Sequence, residues 1–187
     1  MVLTWVKYIG IFIGVAIVIA IAGVLVTQRV SDGPIEFLQG GPLRTGELVE
    51  EPVTDWSFGV GKSTEFELVG FGTSRVAGYI MHDGDAYMTC DLGFMWNRFE
   101  GQQRLILNLI YVFKRWHKDA VEDGRALLRI DGKLFKANFV KVVDPELDAV
   151  LRARLEDLAR EYIAPAELGP PPAEEPNDVW FFRMDPR

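Results

Sequence analysis

From Ile9 to Val26 every position is apolar or glycine, eighteen residues in a row (IGIFIGVAIVIAIAGVLV). At 1.5 Å per residue a helix of that length spans about 27 Å, close to the hydrocarbon thickness of a bilayer. Trp5, Lys7 and Tyr8 flank one end, and Gln28 and Arg29 the other, as interfacial anchors do. The pattern predicts a single transmembrane anchor over 1–30, in contact with lipid through 9–26. A cleaved signal peptide is the rival reading, with Lys7 as its basic start and Ala20-Ile21-Ala22 as small residues that would release 1–22. The apolar run continues through Val24, Leu25 and Val26, which favours an uncleaved anchor. Lys7 before the span and Arg29 and Arg44 after it nearly balance the positive-inside bias. The short head favours a soluble domain outside the cytoplasm.

After the span the pattern changes twice. Residues 31–52 are rich in Gly, Pro and Glu and read as a linker or irregular lead-in. From residue 53 strand patterns dominate. Glu65–Gly72 alternates acidic and apolar residues. Arg75–Met81 and Asp85–Asp91 flank Asp83-Gly84, and Ala126–Ile130 and Leu134–Val143 flank Asp131-Gly132. Asp-Gly between short apolar runs predicts a hairpin, because Gly tolerates positive φ. Between the hairpins, Leu105–Phe113 (LILNLIYVF) is apolar on nearly every face. Nine residues cannot cross a bilayer. That run reads as a helix buried on the sheet, as a homodimer contact, or as an interfacial helix bracketed by Arg104 and Lys114-Arg115-Trp116.

Asp144-Pro145 announces a helix, with Asp144 as cap and Pro145 at the first position, where no donor is needed. Leu147, Leu151, Leu155, Leu158 and Tyr162 form one apolar stripe along it. A proline-rich connector over 164–177 follows, and 178–184 reads as a last strand that would close a barrel or cover a sheet edge. The expected fold is α+β: a mainly antiparallel split β-barrel over 53–187 with a few packed helices, preceded by one transmembrane helix.

Charge narrows the functions. The chain carries 20 basic and 27 acidic side chains, a net −7. Lys7 and Arg29 are the only charged side chains in residues 1–30, so the rest holds 18 basic and 27 acidic, a balance of −9. That field repels polyphosphate and argues against nucleic-acid binding. One cysteine, Cys90, excludes an internal disulfide framework. Two histidines, His82 and His117, give little material for a zinc centre, and no metal is expected. Gly59-Val60-Gly61-Lys62-Ser63 fails as a phosphate loop, because Trp56 stands where that pattern needs its first glycine. His117, among Lys114, Arg115 and Lys118, reads as a cation near the end of a helix.

One set of residues has anion chemistry. Arg75 opens a strand, Thr89 lies on its hairpin partner, and Arg98 follows the loop after that partner. Two guanidinium groups and a hydroxyl at one end of a sheet suit a phosphate or carboxylate.

The order of elements, with Arg75–Ile80, then Tyr87-Met88-Thr89-Cys90-Asp91-Leu92-Gly93, then Phe94–Arg98, and Trp180–Pro186 at the close, resembles the flavin-binding split barrels. These are the pyridoxamine-phosphate-oxidase-like proteins and the deazaflavin-dependent reductases. The resemblance implies an FMN or deazaflavin cofactor with Arg75, Thr89 and Arg98 as cofactor-binding residues, and Trp96 or Tyr87 stacking near the ring. It implies a membrane-anchored oxidoreductase whose catalytic residues the motifs do not name. The chain differs at Ile80, where the oxidases carry a phosphate-binding lysine, and at Phe94, Met95 and Trp96, which replace a basic cluster. Those differences support the alternative of a cofactor-free, membrane-tethered binding or assembly module. A third reading is a binder of a small anionic lipid or haem-like ligand in the barrel mouth.

Overall fold

Two Asp-Gly turns set the sheet. Asp83 and Gly84 have φ of 50° and 88°, and Asp131 and Gly132 have φ of 50° and 76°. Two successive positive φ values twist a tight turn in the sense the flanking strands need. The turns join β4 (Tyr79–His82) to β5 (Asp85–Asp91) and β6 (Arg125–Ile130) to β7 (Lys133–Lys141). The computed structural model describes residues 2–35, 39–92, 114–162 and 179–187, without the side chains of 2–7 and 162. The apolar run Leu105–Phe113, Arg98, Trp96 and the connector 164–177 lie outside the described residues.

The remaining strands are β1 (Glu47–Val49), β2 (Glu65–Leu68), β3 (Thr73–Val76) and β8 (Val179–Pro186). The helices are α1 (Val2–Val30), α2 (Trp116–Glu122) and α3 (Pro145–Tyr162). The strands form one sheet in the order β3-β2-β6-β7-β8-β5-β4, with β1 added beside β7. All pairs are antiparallel except β1 with β7. The fold is α+β, a curled half-barrel sheet with an N-terminal apolar helix.

The run Arg75–Met81 reads as one strand in the sequence but forms two. It breaks at Ala77-Gly78, so β3 pairs with β2 and β4 with β5. The break carries the chain from one end of the sheet order to the other. Gly78 then accepts a hydrogen bond from the Thr89 amide at 3.2 Å, and Thr64 accepts one from Ala77 at 3.0 Å, so each pairing continues up to the break. The last strand covers no edge. β8 lies between β7 and β5 and joins the two hairpins.

Strand alternation gives the sheet two apolar faces. Inside the curl lie Trp56, Phe66, Leu68, Met88, Cys90, Leu128, Phe139, Phe182 and Met184, with Trp116 of α2 among them. On the outside, Ile80, Tyr87, Val179 and Phe181 meet Leu151 of α3, flanked by Leu147, Leu155 and Leu158. Thus β8 sends Trp180, Phe182 and Met184 inward and Val179 and Phe181 outward. Asp144 caps α3, its Oδ1 accepting from the Glu146 amide at 2.9 Å.

Within α1, Tyr8–Val30 is long and apolar enough to cross a membrane, and none of it is buried against the sheet. The lead-in after it is strapped to the sheet. The Arg44 guanidinium donates to the Val30 carbonyl at the helix end (2.7 Å). Asp32 accepts from the Arg44 amide at 2.6 Å and from the Thr45 hydroxyl. Arg129 on β6 reaches Asp32 at 3.1 Å and Glu65 on β2 at 2.5 Å. The buried Glu67 carboxylate accepts from the Leu43 amide at 2.8 Å. Gly40 and Ser74 exchange backbone hydrogen bonds at 3.0 and 3.1 Å along the β3 edge.

Candidate functional site

Arg75 stands opposite Phe66 in the β2–β3 register, so its side chain leaves the sheet on the inner face. Its Nη2 donates to Gln39 Oε1 at 2.5 Å. Its Nη1 is buried and has no hydrogen-bond partner among the described residues. Burial pushes its pKa down to about 10, and the fields of Asp119 and Cys90 oppose that shift. The group is a cation in a low-dielectric setting with donor capacity unused, which an anion would satisfy.

Thr89 stands opposite Phe181 in the β5–β8 register, and Phe181 belongs to the outer face. Its neighbours Met88 and Cys90 point inward. The Thr89 hydroxyl donates to the Gly78 carbonyl at 3.0 Å. Arg75 and Thr89 therefore sit on opposite faces, and the hydroxyl is committed to the seam between β4 and β5. The described residues do not assemble the phosphate set that the resemblance implies. Ile80 explains part of the difference. It is 4% exposed in the apolar layer under α3, where a lysine ammonium would be stranded. Tyr87 is buried in the same layer, with its hydroxyl 3.4 Å from Asp85 Oδ2, and lies on the face opposite Arg75.

Cys90 is fully buried, and burial pushes its thiol up to about 12, so it is a thiol at neutral pH. Lys62, in the failed phosphate-loop segment, pairs with Asp131 at 2.6 Å. His82 lies at the hairpin, 3.5 Å from Asp83. Among the described residues no group of three or more His, Cys, Asp or Glu is placed to hold a metal.

His117 departs most from the sequence reading. It lies in the first turn of α2, the N-terminal end, where the helix dipole does not favour a cation, and it is only 6% exposed. Its ring meets Trp180 edge-on, with centroids 4.7 Å apart and planes at 76°. Burial, then the fields of Lys118 and Lys114, push its pKa down to about 4, so the ring is neutral at pH 7. His117 Nδ1 and Trp180 Nε1 are both buried without a hydrogen-bond partner among the described residues. Lys141 Nζ lies 3.5 Å from the Trp180 ring centroid. The flanking Lys114, Arg115 and Lys118 masked this burial in the sequence. The available signal was the adjacent Trp116, whose indole has to enter a core.

Comparison with family models, curated proteins and solved structures finds no match to this chain.

Proposed function

We propose that this chain is a membrane-anchored, split-barrel-like binding module whose ligand is a small anion held inside the curl of the sheet. The observation that carries the reading is Arg75 Nη1, a buried cationic donor without an acceptor. Most buried polar groups in folded proteins are hydrogen-bonded, so an unmatched guanidinium nitrogen points to a missing oxygen. The apolar helix supplies the anchor.

A second reading keeps the flavin. In the sequence Arg75 matches the strand-opening arginine of the split-barrel pattern, although it is the third residue of β3, and an FMN or deazaflavin phosphate is the anion that pattern implies. The bound flavin would supply hydride chemistry, and the chain would be an oxidoreductase. The placement of Thr89 and Ile80 favours the cofactor-free module over this form.

The test is titration calorimetry on the full chain in detergent micelles, with inorganic phosphate, FMN and deazaflavin as ligands. Saturable phosphate binding that Arg75→Met removes supports the module. Uptake of either flavin, visible as colour and lost in the same variant, selects the oxidoreductase. A chain that binds none of the three defeats both readings.

A further inference from the structure

Four buried side-chain nitrogens among the described residues lack a hydrogen-bond partner: those of Trp56, Arg75, His117 and Trp180. Two of the four belong to one ring pair, His117 Nδ1 and Trp180 Nε1. The indole nitrogen is a donor only, and an imidazole nitrogen donates in one of its tautomers. The neighbouring Lys141 ammonium adds up to three donors and lies 3.5 Å from the Trp180 ring centroid. Lys114 and Lys118 also face His117 electrostatically, against a single acid, Asp119. A locally positive, donor-rich cluster inside a chain of net charge −7 is a departure that needs a reason.

We propose that His117, Trp180 and Lys141 form a binding site for a small oxyanion, a carboxylate or phosphate group, between α2 and β8. Trp180 Nε1 and the His117 imidazole supply neutral hydrogen bonds, and Lys141 supplies charge from the half-buried rim. The site is built rather than superficial, because His117 is only 6% exposed and Trp180 is fixed in the sheet opposite Cys90. An oxyanion is the ligand that unpaired donors beside an ammonium suit, whereas a cation would meet donors and a positive field. The inference shares with the proposed function only its ligand class, and it stands on groups separate from Arg75.

The experiment uses the full chain in detergent micelles, labelled with ¹⁵N at the tryptophan indoles. Trp180→Phe assigns the Trp180 signal. Inorganic phosphate and acetate are the probes. The expected result is a saturable downfield shift of the Trp180 indole proton, at least tenfold weaker in Lys141→Gln and retained in Arg75→Met. A shift that does not saturate, or that Lys141→Gln leaves unchanged, overturns the inference. If Arg75→Met abolishes the response and Lys141→Gln does not, this site falls and the Arg75 reading stands. If neither probe moves any indole signal or binds by calorimetry, both fall.

Discussion

Replacing Arg129 with Met should loosen the strap between the N-terminal apolar helix and the sheet. The Arg129 side chain is 15% exposed, and its carboxylate partners Asp32 and Glu65 are 31% and 26% exposed. It also donates to the Thr45 carbonyl and hydroxyl at 3.2 Å and to the Asp32 carbonyl at 3.3 Å. Methionine keeps much of the volume and removes every donor. Breaking a fully buried pair costs about 3–5 kcal/mol, and partial exposure of both acids lets water recover part of that. The expected loss is about 2–3 kcal/mol. For a domain of this size that lowers Tm by roughly 5–10 °C. Arg129→Lys, which keeps the charge but not the fork, should lose about half as much. The assay is thermal unfolding of the full chain in micelles, followed by near-ultraviolet circular dichroism of the buried indoles. Asp32→Asn and the double variant complete a mutant cycle. Arg129→Met within about 0.5 kcal/mol of wild type, or strict additivity with Asp32→Asn, would refute the strap as a coupled unit.

Three further outcomes follow from the structure. His117 titrates at about 4 in the fold against about 6.5 unfolded, so the unfolded chain takes up its proton first. Stability should fall as pH drops from about 6.5 to 4, by up to about 3 kcal/mol, and His117→Phe should flatten that slope in denaturant titrations at stepped pH. Gly124→Ala should destabilise by about 2 kcal/mol or more, since its Cβ would sit 2.3 Å from the Phe139 carbonyl oxygen, and the Phe139 amide holds the Gly124 carbonyl in place with a 2.7 Å hydrogen bond. A loss below about 0.5 kcal/mol in urea unfolding would show that the strand end can shift freely. Asp144→Ala should remove the α3 cap for about 1 kcal/mol, and Asp144→Asn should restore most of it, both read by the same unfolding midpoint.

Both hairpins and the capped helix were legible because their causes are local. Asp-Gly at 83–84 and 131–132 fixes turns by φ alone, and Asp144-Pro145 fixes a helix start. The break at Ala77-Gly78 was not legible. It depends on β3 and β4 choosing partners at opposite ends of the sheet order, a long-range matter that no short window contains. The three-residue β1 was missed for the same reason, as its pairing with β7 rather than its own pattern makes it a strand. The site followed the same division. Arg75 could be singled out by type and position, but the face it occupies depends on its register against Phe66. Thr89 lost its candidacy through the same alternation, one residue away from the inward Cys90.

The place of β8 bears on how this chain is made. It is synthesised after every other strand, yet it joins β7 to β5. Before it is made, the described residues join the two hairpins through the Ala77-Gly78 crossing, and Phe66, Met88, Trp116 and Phe139 have no lid of Phe182 and Met184 over them. Pairing across so many residues is slow, because loop closure precedes any reward from contact. A stall or truncation ahead of Val179 therefore leaves an open apolar interior, a form suited to capture by chaperones and proteases.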